Sequence, residues 1–551
     1  MRSMTGGQVL VDALLSHHVD TIFCIPGESY LPVLDALYDT QSIRTVVARH
    51  EGAASYMAEA YGKLTGQPGI CFVTRGPGAS HASVGLHTAY EDSTPMILFI
   101  GQVEIQFIGR GAFQEIDYSR MFGSSAKAVH QVRKVADLPD VINSAFELAI
   151  SGRPGPVVIE LPEDILFSKT DLPVSIAVSE KEATRKSLDL TEIGHLLENA
   201  KHPMVVVGGS SWSQKGLSDL REFIHRYRLP VAASFRRQDV FDNEDPHYVG
   251  MLGLAANPAL IKRFHDADVV VAIGSRLAEV TSNGYSLFQQ DSKSQKLIHL
   301  YPQPHVLADV YKPNLTIHAP LGDLAKALAT LPEPKSITWT DWTSDARQEF
   351  LKFSEPLVVH PDHTGVDMGK VVNYLSNSLP SDAIICNGAG NFSVWVHRFY
   401  KYRTHVSELA PTNGSMGYGL PAAIAAKIRH PEKTVICFSG DGCFMMYPQE
   451  LATAIQENAA VILLIVNNGM YGTIRMHQER EYPGRVFASH LVNPDFVALA
   501  KSFGAQAERL TAFDDFPSAI ERARKSNRVY VVELVTDPQQ LSPSKRLDNV
   551  S

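Results

Sequence analysis

Asp441 stands between Gly440 and Gly442, directly after the β-rich run 434–438, and Asn468 ends the run AVILLIVNN 27 residues further on. Between them lies a helical stretch, PQELATAIQEN. Strand, helix and strand read as one βαβ unit, which brings the carboxylate and the amide to the carboxyl ends of two parallel strands, where open α/β sheets bind ligands. Hard oxygens there suit Mg²⁺, whose octahedron is met by a carboxylate, a side-chain amide, a backbone carbonyl, water and two phosphate oxygens. The glycines flanking Asp441 let the backbone approach a diphosphate, and the N–H groups of Gly442 and Cys443 open a helix, which favours an anion. Taken singly, Gly-Asp-Gly is a turn and Asn467-Asn468 a strand cap; together at this spacing they point to a metal–diphosphate site. Gly388-Ala389-Gly390 also follows a strand, but Ser393 stands where a dinucleotide fingerprint needs its third glycine.

The same alternation extends along the chain in three segments. In the first, residues 21–25, 45–48, 69–73 and 96–100 are short β-rich runs, and the segment closes with RPGPVVIELPEDI near residue 160. A polar passage, SEKEATRKSLDLTE, reads as a linker. The second segment carries MVVVGGS, LPVAAS, DVVVAIGSR and KLIHLYP; the third, after LPEPKSITWTDW, carries AIICN, TVICFSG, AVILLIVNN and VYVVELV. The expected fold is α/β, with three doubly wound parallel-sheet domains over residues 1–170, 186–332 and 355–551. A chain of 551 residues exceeds what one core accommodates.

Hydrophobic residues make up 44% and charged residues 20%, the balance of a soluble globular protein. The net charge of -9 speaks against a nucleic-acid partner, which needs a basic stripe. The longest apolar run, 459–466, is too short to span a membrane. The opening MRSMTGGQVL lacks the layout of a signal peptide, and five scattered cysteines form no C-x-x-C pair, so a cytoplasmic protein is expected.

Gly-Asp-Gly, helix, strand and Asn-Asn at this spacing resemble the thiamine diphosphate fingerprint of the acetolactate synthase, pyruvate oxidase and benzoylformate decarboxylase superfamily. The resemblance covers nearly the whole chain and is strongest to acetolactate synthase large subunits. It implies pyrimidine-binding, central and diphosphate-binding domains, in that order. It also implies that Asp441, Asn468 and the backbone oxygen of Met470 are magnesium ligands. Gly390, Asn391 and Phe392 would line the diphosphate on the side opposite Asp441, with Gly440, Gly442, Cys443, Tyr471 and Gly472 as further cofactor contacts. The segment NGSMGYGLPAA, residues 413–423, resembles the family's G-x-M-G-x-G-L-P-A-A. By that likeness the Gly414 carbonyl accepts from the cofactor's amino group and Met416 wedges under its bent rings, although plain core filling suits the same methionine.

Thiazolium chemistry needs a protein group that protonates or polarises the far pyrimidine nitrogen, and a carboxyl group away from water suits that task. Arg49-His50-Glu51 ends a strand and precedes a helix from about Gly52, and in this superfamily that strand end carries the glutamate. Glu51 is therefore the catalytic candidate; position alone would only make it complement the helix dipole. The resemblance further implies that this glutamate and the diphosphate site come from different subunits, so a homodimer is the minimal active unit and a tetramer is common.

The stretch GQVEIQFIGRGAFQEIDYSRMF is similar to acetolactate synthase and carries over Phe113 and Gln114 as pocket residues. Other positions depart. The family's V-T-S-G-P-G-A-T-N is here Val73-Thr74-Arg75-Gly76-Pro77-Gly78-Ala79-Ser80-His81, and its P-K-D is Pro162-Glu163-Asp164, a charge reversal. Arg75 has two readings: it holds a substrate carboxylate bidentately, or it pairs with a neighbouring carboxylate. Glu28, in a loop that often faces the cofactor's reactive carbon, relays protons, pairs with Arg75 or is solvated. Glu91-Asp92 occupy the place of the adjacent histidines of pyruvate decarboxylases. Residues 272–280, AIGSRLAEV, lack the acidic, arginine-containing pattern of flavin-bound synthases, so FAD is not favoured. Tyr471, Ile474 and His477 lie on a helix that roofs the pocket by analogy, and an ordinary surface helix accounts equally well for His477. The implied reaction decarboxylates a small 2-oxo acid such as pyruvate and transfers the carbanion to an aldehyde or 2-oxo acid. A simple decarboxylase, a flavin-dependent oxidase and a non-catalytic relative are the alternatives.

Overall fold

The structure, a computed structural model, describes residues 2–172, 188–288, 294–303 and 310–549. It contains three six-stranded sheets in which every neighbouring pair is parallel. The first orders its strands Arg44–Val47, Thr21–Cys24, Gly69–Val73, Met96–Gln102, Pro156–Pro162 and Ala128–Gln131. The second runs Tyr248–Met251, Val231–Ala233, Pro203–Val207, Val269–Ile273, Lys296–Tyr301 and Leu315–His318. The third runs Glu408–Leu409, Ile384–Asn387, Val435–Gly440, Ile462–Asn467, Tyr530–Val535 and Gln506–Leu510. The inner strands MILFIGQ and PVVIELP are buried along their whole length, as strands covered on both faces by helices must be. The expected three-domain α/β architecture is therefore what the chain forms.

The first and third domains share one core. Helices Glu51–Thr65 and Gly419–Arg429 pack together, and Ala53, Ala54, Ala58, Ala422, Ala423 and Ala426 lie fully buried in the same cluster. Small side chains let the two backbones approach closely, so this contact fixes the strand end at Glu51 relative to the third sheet. Buried polar groups pin the same interface: the Tyr418 hydroxyl and Thr94 Oγ1 each donate to a Glu59 carboxylate oxygen at 2.7 Å.

Several elements differ from the sequence reading. Residues 179–187 of the expected linker lie outside the described residues, and its last two, Thr191 and Glu192, open the helix Thr191–Glu198. Arg2–Thr5 forms an unanticipated strand antiparallel to Lys169–Leu172, which ties the start of the first domain to its end. The strand before Asp441 runs on to Gly440, so the sheet itself delivers the aspartate. All five cysteines are buried and unpaired. Among the described residues no helix is long and apolar enough to cross a membrane.

Candidate active site

Val435–Gly440 and Ile462–Asn467 run side by side with Gly440 opposite Val466, so Asp441 and Asn468 leave the same edge of the sheet. Asp441 opens the one-turn helix Asp441–Phe444 and is only 2% exposed. Its Oδ1 accepts from the Gly442 N–H at 2.9 Å, and its Oδ2 accepts from the Gly469 N–H at 2.9 Å and from Asn493 Nδ2 at 2.8 Å. Burial still pushes the carboxyl above its ordinary range, because these donors only partly replace the lost water. Asn468 Oδ1 accepts from the Met470 N–H at 3.2 Å, which places that amide beside the Met470 backbone. A carboxylate, an amide and a carbonyl on adjacent turns are an all-oxygen set that fits Mg²⁺.

These residues border a cavity of about 600 Å³. Gly390, Asn391 and Phe392 form one wall, and Gly440, Asp441, Gly442 and Cys443 face them. Gly414 and Met416 also line it, together with Asn468, Met470, Tyr471, Gly472 and Ile474. The glycines are needed for room: a Cβ on Gly442 would lie 2.5 Å from the Tyr471 ring. Gly390 has φ +144, a backbone state that side chains rarely adopt. Thr473 Oγ1 donates to Asn391 Oδ1 at 2.9 Å, locking one wall to the roof helix Gly472–Glu481. Burial raises the Cys443 thiol, so it packs rather than reacts, and its Sγ accepts from the Gly417 N–H at 3.1 Å. His477 is not among the lining residues; its Nδ1 accepts from Arg480 Nη2 at 2.9 Å on the outer face of the helix.

The four candidates from the first domain lie elsewhere. Glu51 is the first residue of its helix, with a side chain 15% exposed, and its Oε2 accepts from His81 Nδ1 at 2.8 Å. Arg75 is buried; its Nη2 donates to Glu163 Oε2 at 2.5 Å, and its Nη1 lies 3.6 Å from Glu28 Oε1. Of the two readings of this arginine, pairing is the contact present within the chain, with Glu163 as its nearer partner. The Glu28 side chain is otherwise 70% exposed. Gln114 sits at φ +65, and its carbonyl accepts from the Gly76 N–H at 2.9 Å, bracing the Arg75 turn; Phe113 beside it is 74% exposed.

Three supporting residues escaped the sequence reading. Asn493 touches Asp441 from 52 residues away and also donates to Asn467 Oδ1 at 3.0 Å; nothing in its loop signals this. Glu450 accepts the Arg49 N–H at 3.1 and 3.2 Å on its two oxygens and so holds the strand end that precedes Glu51. Burial raises its carboxyl to about 7. Its signal was an acid on the buried stripe shared with Leu451, Thr453 and Ala454. His81 was visible only as a departure from the family's asparagine.

Comparison with known proteins gives the same layout. Residues 388–534 match the family model for the thiamine pyrophosphate enzyme C-terminal TPP binding domain, residues 4–121 that for the N-terminal TPP binding domain, and residues 190–328 that for the central domain. Thiamine pyrophosphate is thiamine diphosphate under another name. The chain is 32% identical to the probable acetolactate synthase large subunit of Methanocaldococcus jannaschii, over 99% of this chain and 95% of that protein. It is 30% identical to the acetolactate synthase isozyme 2 large subunit of Escherichia coli, over 97% of this chain and 96% of the relative. With the acetolactate synthase large subunit of Corynebacterium glutamicum it shares 31% identity over 97% of this chain and 87% of the relative.

Proposed function

Because the chain belongs to the thiamine pyrophosphate enzyme family, we propose that it is an acetolactate-synthase-like carboligase, decarboxylating a small 2-oxo acid such as pyruvate and joining the remainder to an aldehyde or a second 2-oxo acid. The observation that carries this reading is the convergence of Asp441, Asn468 and Met470 on a cavity large enough for the cofactor's diphosphate arm, in a chain alike along its length to acetolactate synthase large subunits. When bound, thiamine diphosphate supplies the carbon that adds to the 2-oxo group and accommodates the electron pair left by carbon dioxide.

Asp441, Asn468 and the Met470 carbonyl hold Mg²⁺ and, through it, the diphosphate, while Gly390, Asn391 and Phe392 enclose the other side. Met416, which lines the same cavity, would support the cofactor's rings. Glu51 holds a proton at the pyrimidine nitrogen. Among the described residues none that lines the cavity precedes Leu357, which supports a site completed by Glu51 of a second copy, with a homodimer as the minimal unit and a tetramer as the working assembly.

Residues 274–281 border a separate cavity of about 380 Å³ at the carboxyl edge of the central sheet. There Arg276 Nη2 donates to the Glu91 carboxylate and carbonyl, both at 2.8 Å. Catalysis is proposed to proceed without FAD, and the protein to work in the cytoplasm, where its buried thiols stay reduced.

The test is product analysis after incubation with pyruvate, Mg²⁺ and thiamine diphosphate, with and without added aldehyde. A ligated hydroxy-ketone or acetohydroxy acid is expected, from protein lacking flavin absorbance. Acetaldehyde as the sole product would move the protein to simple decarboxylation, and failure to consume any of a panel of 2-oxo acids would contradict the proposal.

A further inference from the structure

Arg236 follows the strand Val231–Ala233 at the carboxyl edge of the central sheet, yet its guanidinium bonds to the third domain. Its φ is +56, a backbone state that a long side chain adopts uncommonly, and only 2% of the residue is exposed. Arg237 secures this turn, donating to the Arg236 carbonyl at 2.7 Å and to the Asp92 carbonyl of the first domain at 2.9 Å.

The guanidinium meets two loops that border the candidate active site. Its Nη2 donates to the Gly388 carbonyl at 3.2 Å and to Ser393 Oγ at 3.5 Å, and that hydroxyl donates on to the Gly390 carbonyl at 2.8 Å. The turn 388–390, whose last two residues line the cavity, is thereby held at both ends. Its Nη1 donates to the Pro411 carbonyl, which also accepts from the Gly414 N–H at 3.1 Å. Gly414 and Met416, which line the cavity from the second loop, are therefore tied to the same side chain.

This placement does not suit a residue kept for stability alone. All three acceptors are neutral, and burying a cation on neutral partners is costly. Burial lowers the guanidinium only to about 10, so it stays charged at neutral pH. Glu408 and Asp92, the carboxylates that act on it through space, bond elsewhere: Glu408 Oε2 accepts from the Gln238 N–H at 2.7 Å, and Asp92 Oδ1 from the Thr412 N–H at 2.8 Å. His397, close by, is held neutral by burial and by the same cation, so it adds no opposite charge. What the guanidinium offers is its fork: two amino groups in one rigid plane reach two loops at once, which a lysine cannot do.

We propose that Arg236 is a positioning residue for thiamine diphosphate, a buried fork from the central domain that sets the separation between the turn 388–390 and the loop 411–416. This rests on the reading of that cavity as the thiamine diphosphate site.

The test is calorimetric titration of thiamine diphosphate into the full chain at saturating Mg²⁺, for wild type, Arg236→Lys and Arg403→Ala. Lysine keeps the charge but loses the fork. Arg403, whose Nε lies 3.2 Å from Glu244 Oε1, also joins the third domain to the central one but touches neither loop. Arg236→Lys is expected to bind thiamine diphosphate about ten- to a hundredfold more weakly. Arg403→Ala is expected to melt at a lower temperature and keep wild-type affinity. In cofactor-free protein, amide hydrogen exchange over 388–391 and 411–416 should quicken in Arg236→Lys alone. Wild-type affinity in Arg236→Lys, unchanged exchange in both loops, or an equal loss of affinity in Arg403→Ala would each overturn the proposal. If Arg236→Lys does not fold, Ser393→Ala cuts only the relay to Gly390; a loss of affinity of about threefold supports the proposal and none overturns it. Wild type that fails to bind thiamine diphosphate would overturn the reading of the cavity, and the proposal with it.

Discussion

Arg75 and Glu163 are bonded to each other, Nη2 to Oε2 at 2.5 Å, between the start of the helix Gly76–Asp92 and the end of the strand Pro156–Pro162. Both residues depart from the acetolactate synthase pattern, one by gaining a cation and the other by reversing a charge. Each departure alone would leave a poorly solvated charge; together they cancel. The Gln114 carbonyl, on the Gly76 N–H, completes the brace.

This pairing favours a structural role for Arg75. Arg75→Ala is expected to cost about 1–3 kcal/mol of stability, with Glu163→Gln in the same chain recovering part of it. Its kinetic effect should fall alike on acid and neutral aldehyde acceptors. A rise in KM of about ten- to a hundredfold confined to acids would instead assign the guanidinium to a substrate carboxylate.

Asn493 holds the face of Asp441 that the Gly442 amide does not reach. Removing a group that orients a metal ligand commonly weakens the metal about ten- to a hundredfold. Asn493→Ala should do so for Mg²⁺, measured as the concentration that half-saturates cofactor binding, with little change in melting temperature. Unchanged magnesium dependence would mean that the two glycine amides orient Asp441 sufficiently.

Asp441, Asn468 and the glycines beside them were legible as residues of one sheet edge because they follow apolar strands that announce themselves, VICFSG and ILLIVN, and because glycine marks where a backbone must come close. Edge strands without an apolar run were not legible, although residues 45–48, at the edge of the first sheet, were. Gln506–Leu510 reads QAERL and has one buried residue, and Leu315–His318 alternates between half-buried and exposed, so neither presents an apolar run. Contacts made by loops and by charge were also hidden: Asn493 reaches Asp441 across 52 residues and Glu163 reaches Arg75 across 88, and no local pattern pairs either couple.

Glu450 gives the fold a pH signature. Burial raises its carboxyl to about 7 in the folded protein, above the 4.5 of an ordinary glutamate. Between those values the folded chain binds more protons than the unfolded chain, so this group's contribution to stability falls as pH rises. Gln at this position keeps an acceptor for the Arg49 N–H without an ionisation to suppress. Relative to wild type, Glu450→Gln should therefore gain about 1–3 kcal/mol as pH is raised from 5 to 8, read from melting temperatures across that range. A difference independent of pH would show that the carboxyl ionises in place.

The central claim is that Asp441 binds Mg²⁺ and thereby retains thiamine diphosphate at the edge of the third sheet. The most direct measurement is calorimetric titration of thiamine diphosphate into wild type and Asp441→Ala, each with and without Mg²⁺, beside circular dichroism to verify the fold. Wild type is expected to bind tightly only with magnesium, and the folded variant to bind weakly and equally in both conditions. Magnesium-dependent binding of wild-type strength in Asp441→Ala would contradict the account.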